Sequence, residues 1–221
     1  TGVADPYRDA KEKFNRKAHE ILPQLWEQVQ HAKDPFLTAL RLAIAGNVID
    51  LGVKGGLTDG EIEQAIENAM HESFHGEVEA LQQAIKEAES ILYLADNAGE
   101  IVFDQLLIAQ LPTERVTVAV RGMPVINDAT MDDAATTGLT DLVDVIDNGS
   151  DAPGTILESC SEHFCQRFAE ADLIIAKGQG NYETLSGNGH ENIFFLFKTK
   201  CPVVAAHIQQ PLGTQVAIRG E

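Results

Sequence analysis

Cysteine is scarce in this chain. The three thiols in 221 residues, Cys160, Cys165 and Cys201, form neither an even set nor a C-x-x-C pair. That argues against a secreted disulfide framework and a zinc ribbon, and for a reducing, cytoplasmic setting. Positive charge is scarce too: 16 Lys and Arg stand against 34 Asp and Glu, a formal charge of −18. Non-specific attraction to nucleic acid or anionic lipid is therefore not expected, and an acidic protein that handles an anion must supply positive charge locally. Long apolar runs are missing. The greasiest stretch, 36–53, is interrupted by Arg41, Asn47 and Asp50 and is not a membrane span of roughly 20 apolar residues. No signal peptide is visible, and a chain that begins with Thr1 is expected to lack a natural N-terminal segment.

What is present is the balance of a soluble globular chain, 44% apolar and 23% charged, long enough for one domain with a smaller appendage. The first ninety residues read as helices. Asp5-Pro6 and Asp34-Pro35 have the form of helix starts, and Phe14, Ala18, Ile21, Leu25 and Val29 recur at helical spacing, with Pro23 expected to kink or divide that helix. The segment 36–49 is apolar nearly all round, as a helix buried among others is. Thr58-Asp59-Gly60-Glu61 opens a third helix with a capping box, and Val78, Leu81 and Ile85 give a fourth its apolar face.

After Ser90 the period changes. Short continuous apolar runs occur at 91–95, 116–120, 142–146, 173–176, 193–197, 203–206 and 216–218, several separated by enough chain for a crossover helix. Such runs indicate strands covered on both faces. The expected fold class is α/β: a Rossmann-like, mostly parallel sheet flanked by helices over 90–221, carrying an N-terminal helical cap over 1–89. Nothing in the pattern fixes an oligomeric state.

Open parallel sheets bind ligands beyond the carboxyl ends of their strands. The residues that follow the runs are unusually polar: Asp96-Asn97-Ala98-Gly99-Glu100, then Arg121-Gly122 with Asn127-Asp128, and later Lys177-Gly178-Gln179-Gly180-Asn181. Carboxylate, amide and carboxylate oxygens from Asp96, Asn97 and Asp128 suit a hard divalent cation such as magnesium or manganese. Lys177, helped by Arg121, would neutralise an oxyanion held by the same ion, and a phosphoryl group is the natural candidate. Each residue also has a plainer reading: Asp96 as a helix cap, Lys177-Gly178 as an exposed loop, Arg121 as the partner of a surface carboxylate. Asn47 and Asp50, three apart on an apolar helix, are either capping groups at a break or part of the pocket. Asp147-Asn148-Gly149 reads as a turn and stays outside the site.

Other motifs are absent or deceptive. Gly178-Gln179-Gly180 lacks the third glycine of a dinucleotide fingerprint, and no Walker sequence or nucleophile elbow occurs. His71-Glu72-Ser73-Phe74-His75 matches H-E-x-x-H, but Gly76 follows at once, and a zinc site needs both imidazoles on one continuous helix.

Three segments together, 94–104, 120–130 and 176–183, with 43–50 upstream, closely resemble the damage-control phosphatase family, first catalogued as domain of unknown function 89. The resemblance spans nearly the whole chain. It implies a metal-dependent phosphatase acting on small phosphomonoesters, sugar phosphates or other phosphorylated metabolites, with magnesium, manganese, cobalt or nickel as cofactor. Position by position it implies Asp96, Asn97 and Asp128 as metal ligands and Lys177 on the phosphate side, Asp96 and Lys177 being the catalytic pair. Glu100, Arg121, Asn127, Gly178, Asn181, Asn47 and Asp50 fall around the substrate pocket. Prokaryotic relatives of this type carry a further N-terminal helical segment with a Cys-x-x-Cys pair that this sequence lacks. The nucleophile is either a metal-activated water or Asp96 itself. The competing readings are an S-adenosylmethionine-dependent carboxyl methyltransferase and a non-catalytic phosphometabolite-binding domain.

Overall fold

The computed structural model describes residues 2, 4–46 and 59–220, and its strands form one seven-stranded sheet with helices on both faces. Helix α1 (Arg8–His31) and α2 (Pro35–Ala45) come first, followed by α3 (Asp59–Ala69), strand β1 (Phe74–Gly76) and α4 (Val78–Glu87). Then β2 (Ile91–Leu94), α5 (Glu100–Ile108), β3 (Val116–Val120), α6 (Met131–Thr136), α7 (Leu139–Leu142) and β4 (Asp144–Asp147) follow. The chain closes with α8 (Glu162–Glu170), β5 (Leu173–Lys177), α9 (Gly178–Leu185), β6 (Ile193–Lys198), α10 (Pro202–His207) and β7 (Gln215–Arg219).

Strand order is β1-β7-β6-β5-β2-β3-β4. The pairs from β6 through β4 are parallel, whereas β7 runs antiparallel to β6 and carries β1 in parallel at the edge. The mostly parallel α/β sheet expected from the apolar runs is thus present. From β2 the chain moves outward through β3 and β4, then returns to β5 and β6 on the other side. The order therefore reverses between neighbours β2 and β5, and it is there that an open α/β sheet leaves a crevice at its carboxyl edge.

Local chemistry explains most boundaries. Asp34 accepts a 2.9 Å hydrogen bond from the Leu37 N–H and Pro35 takes the first helical position, so α2 starts where the sequence says it should. Helix α1 starts two residues later than Asp5-Pro6 suggests, with Asp5 Oδ1 accepting instead from the Tyr7 N–H at 2.9 Å. It also runs through Pro23 without dividing. Phe14, Ala18, Ile21, Leu25 and Val29, on both sides of the proline, are buried in one core, and that packing offsets the roughly 3 kcal/mol an interior proline costs.

Two expectations fail. The run 203–206 is not a strand but the body of α10, with Pro202 at its first position and Val203 76% exposed. A four-residue apolar run has no period to tell helix from strand, and the proline decides for a helix. Conversely, Phe74–Gly76, which overlaps the end of the H-E-x-x-H match and lies between two helical patterns in the first ninety residues, is edge strand β1. An added Cβ on Gly76 would lie 2.6 Å from the Ala217 carbonyl oxygen, so the glycine permits the close pairing. His75 therefore sits on a strand, and the two imidazoles have no helix to share.

The core has two halves, one on each face of the sheet. Phe14, Leu40, Ile101, Leu106, Val118 and Leu196 join α1, α2 and α5 to one face, and Leu92, Phe164, Ile174, Leu185 and Phe195 join α8 and α9 to the other. Lysine at Val203, which faces solvent, should shift unfolding free energy by less than about 0.5 kcal/mol. Lysine at neighbouring Val204, 6% exposed, should cost several times more. Urea melts of the two variants check the reassignment of this segment.

Candidate functional site

The reversal between β2 and β5 brings two loops together. Asp96 and Asn97 leave β2, and Gly178 follows β5 directly. Gly178 has φ +79°, and an added Cβ would stand 2.0 Å from Asp96 Oδ2, so the backbone of one loop is pressed against the carboxylate of the other. The segment after β3 closes the third side. Asn97 and Asp128 form an isolated antiparallel bridge, the Ala129 N–H donates to the Asp96 carbonyl at 2.9 Å, and the Ala98 N–H donates to the Asn127 carbonyl at 2.9 Å. The turn into this segment runs through Ile126 with φ +45°, a left-handed conformation that a β-branched residue adopts only under constraint.

The side chains interlock. Asn97 Nδ2 donates to Asp96 Oδ2 at 2.7 Å and to Glu100 Oε2 at 3.1 Å, while Asn127 Nδ2 donates to Asn97 Oδ1 at 2.8 Å. Arg121 Nε donates to Asp128 Oδ2 at 2.7 Å, and its terminal nitrogens donate to Thr155 Oγ1 and Asn181 Oδ1, each at 3.3 Å. Asn181 in turn donates to the carbonyls of Lys177 at 2.7 Å and Ala95 at 3.3 Å, tying the β5 loop to β2. A cavity of about 190 Å³ opens beside this cluster, lined by Asp96, Asn97 and Glu100, by Gly178 to Gly180, and by Phe197 and Lys198 at the end of β6 with Lys200 just after it.

Lys177 is not on the cavity wall. It is fully buried, and its ammonium donates to the Ala43 carbonyl at 3.0 Å, Glu100 Oε1 at 2.8 Å and Asp104 Oδ1 at 2.5 Å. Three donors meet three acceptors, so the lysine is committed to charges beneath the site. Arg121, 2% exposed, is likewise held by Asp128, Thr155 and Asn181, and among the described residues it pairs with no surface carboxylate. The structure thus gathers Asp96, Asn97, Glu100, Gly178, Asn127, Asp128, Arg121, Asn181 and Lys177 around one crevice, with the two cations in its foundation. Asn47 and Asp50, and the capping residue Thr58, lie outside the described residues.

Burial and crowding of like charge shape the titration. Asp96 is held well above the usual carboxylate range, first by desolvation and then by Glu100 and Asp128, against the opposing pull of Arg121 and Lys177. Asp128 is raised by burial, with Arg121 opposing. For Lys177 desolvation works downward, but Asp104 and Glu100 outweigh it and the ammonium is held above its ordinary range. Asp104 is pushed up to about 6 by burial, with Lys177 opposing and Glu100 adding to the rise.

Sequence reading overlooked Asp104 and Asn15. Asp104 lies one turn after Glu100 on α5, every residue of which is buried, and an acid in such a helix must have a partner. It binds Lys177 and accepts from the Tyr93 hydroxyl at 2.8 Å, and its second oxygen, Oδ2, is buried without a partner among the described residues. Asn15 on α1 accepts from the Gly99 N–H at 2.7 Å and donates to Asp133 Oδ1 at 2.9 Å, so the first helix fixes the turn that carries Asp96. Helical spacing placed Asn15 beside core residue Phe14, but nothing local said what it would meet.

The donor set fits a hard cation. Two carboxylates and an amide meet beside the cavity, with Asp96 only half-buried, and concerted half-turns of the Asn97 and Asn127 amides would keep their mutual bond while presenting the Asn97 oxygen. Among the described residues no three His, Cys, Asp or Glu side chains converge as a metal cluster. Asp96, Asn97 and Asp128 include only two residues of those types. No helix among the described residues is long and apolar enough to cross a membrane.

Similarity to known proteins extends along the whole chain. The model of the damage-control phosphatase ARMT1-like domain matches residues 1–216. A damage-control phosphatase of Pyrococcus horikoshii is 38% identical over 224 residues, covering 100% of this chain and 76% of that protein. One of Archaeoglobus fulgidus is 38% identical over 222 residues, covering 98% of this chain and 76% of its own. The crystal structure of a DUF89 family protein from P. horikoshii superposes with a TM-score of 0.89 at 38% identity, covering 100% of this chain and 77% of that one.

Two outcomes follow from the buried charges. Lys177→Met strands Glu100 and Asp104 without a counter-charge and should cost about 3–5 kcal/mol in denaturant titration. Asp104 has a folded-state pKa above its unfolded value of 3.8, so it binds its proton more tightly when folded. Its contribution is most favourable below about pH 4 and is lost as pH rises through about 6. Asp104→Asn should accordingly flatten the fall in stability across that window, read from urea midpoints at pH 4 to 7.

Proposed function

The chain belongs to the damage-control phosphatase ARMT1-like domain family, and we propose that it is a metal-dependent phosphatase of small phosphomonoesters. Phosphatase is the activity named for its relatives in P. horikoshii and A. fulgidus. The observation that carries the finer reading is the convergence of Asp96, Asn97, Asp128 and Glu100 at the reversal of strand order beside a cavity. Methyl transfer finds no support in the names of the relatives, and no glycine-rich loop for a nucleoside follows β2.

In this reading Asp96, Asn97 and Asp128 hold a divalent cation, magnesium, manganese, cobalt or nickel. When bound, the cation supplies Lewis-acid stabilisation of phosphoryl oxygens. The protein's own contribution is preorganisation. Arg121 fixes the Asp128 carboxylate, Asn127 fixes the Asn97 amide, and Asn181 clamps the β5 loop to β2. Lys177 offsets the charge of Glu100 and Asp104 from below and holds Glu100 in place at the cavity wall. Helices α1 and α2 brace the site through Asn15 and the Ala43 carbonyl. The substrate is a small phosphorylated metabolite.

The test is release of inorganic phosphate from a panel of small phosphomonoesters with each of the four metals. Turnover should require added metal and vanish with chelator, and chelator-insensitive hydrolysis would refute the metal reading. Asp128→Asn is the informative variant, because alanine would leave buried Arg121 unpaired. It should fold normally and lose about 10²–10³-fold in turnover, the scale of one stabilising electrostatic contact. Chemical quench with a slow substrate assigns the nucleophile: phosphate trapped on Asp96 means direct attack, and its absence at full turnover means water.

A further inference from the structure

On the metal reading proposed above, the oxygen donors come from two loops, one after β2 with Asp96 and Asn97 and one after β3 with Asp128. Their grip on a cation then depends on how firmly one loop is fixed against the other. Two backbone hydrogen bonds join the loops directly, from the Ala98 N–H to the Asn127 carbonyl and from the Ala129 N–H to the Asp96 carbonyl, each 2.9 Å. Two bonds along one short ladder set a spacing but leave the loops able to twist about it.

Helix α1 supplies a third attachment. The Gly99 N–H, three residues beyond Asp96, donates to Asn15 Oδ1 at 2.7 Å, and Asn15 Nδ2 donates to Asp133 Oδ1 at 2.9 Å. The other oxygen of Asp133, Oδ2, accepts from the N–H and hydroxyl of Thr130, two residues beyond Asp128, at 2.9 and 2.7 Å. One amide and one carboxylate thus close a circuit from the first loop through α1 to the second. Gly99, with φ +78°, is also seated on α1, since an added Cβ would lie 2.9 Å from Phe14 Cβ.

Alone, Asp133 reads as the acid of the capping box that opens α6. A capping box needs no partner outside its own helix. Here the carboxylate is 5% exposed and also takes the Lys11 ammonium at 2.9 Å, itself 3% exposed and shared with Asp5 at 3.0 Å. The start of a six-residue helix does not by itself repay burying such a pair. The polarity of the circuit is fixed as well. A carboxylate can only accept, so Asn15 must turn its amide nitrogen to Asp133, and its oxygen is thereby presented to the Gly99 N–H.

We propose that Asn15 and Asp133 are a pair of positioning residues that lock the Asp96 and Asp128 loops, through α1, into the orientation that binds a divalent cation. Neither residue lines the cavity.

Manganese binding to the whole chain, followed by titration calorimetry and by the paramagnetic resonance of the free ion, tests the pair in variants shown to be folded by thermal melting. Asn15→Ala cuts the link to Gly99 but leaves the capping box and the Lys11 ion pair in place, and it should weaken manganese binding about tenfold, the lower end for residues that orient metal ligands. In Asp133→Asn the new amide keeps its oxygen on Thr130 and turns its nitrogen to Asn15, whose own amide must then flip and face the Gly99 N–H with a donor. The loss should match that of Asn15→Ala. Combining Asn15→Asp with Asp133→Asn restores an acceptor to Gly99 and a donor–acceptor contact within the pair, and should bring affinity back to within about threefold of wild type. Phosphate release at saturating manganese should stay within about threefold throughout, because the pair acts on metal binding rather than on substrate. Wild-type affinity in Asn15→Ala, a double variant no tighter than Asp133→Asn, or a loss of kcat that saturating metal does not recover overturns the proposal. Should Asp133→Asn fail to fold, Asn15→Ala decides alone. Wild-type protein that binds no divalent cation would instead overturn the metal reading itself, so the two failures are told apart.

Discussion

One buried ammonium organises the site. Lys177 at the end of β5 lies between Glu100 and Asp104, one turn apart on α5, and reaches the last turn of α2 through the Ala43 carbonyl. Burying three charges is costly, and their mutual attraction repays the cost only when the geometry satisfies nearly every lone pair and proton. The arrangement therefore leaves little freedom to β5, α5 and α2, which meet here from three distant parts of the chain. It also sets the electrostatics above it, because Glu100, the upper member, faces both the cavity and Asn97.

A second network repeats the same logic on the β3 side. Arg121 ties Asp128 to Thr155 and Asn181, and Asn181 closes on the carbonyls of Ala95 and Lys177. The two networks meet at the backbone contact between Gly178 and Asp96. In both, cations suited to grip phosphate are spent on holding carboxylates in place. In the proposed reading, this division of labour holds the Asp96 and Asp128 oxygens in fixed positions for a cation.

Much of this was legible in the order of residues. Continuous apolar runs gave β2, β3, β5, β6 and β7 nearly to the residue, because a strand buried on both faces cannot alternate. The polar residues just after those runs nominated Asp96, Asn97, Arg121, Asp128 and Lys177, because an open parallel sheet binds ligands beyond the carboxyl ends of its strands. The errors have identifiable physical causes. Val203 to Ala206 carry no period to distinguish helix from strand, and Phe74 to Gly76 form a strand only because β7 offers an edge from 140 residues further on.

The sequence by itself determined which chemistry was available: oxygen donors at strand ends, few cations, an acidic surface and an α/β frame to hold them. Only the tertiary structure decided how each charge was used. Residue types say that a lysine is positive, but whether it meets a substrate or a buried acid depends on what other segments bring within about 3 Å, and for Lys177 those segments lie more than 70 residues away. That is a property of the packed chain, because ion pairing decays over a few ångströms in space and takes no account of distance along the sequence.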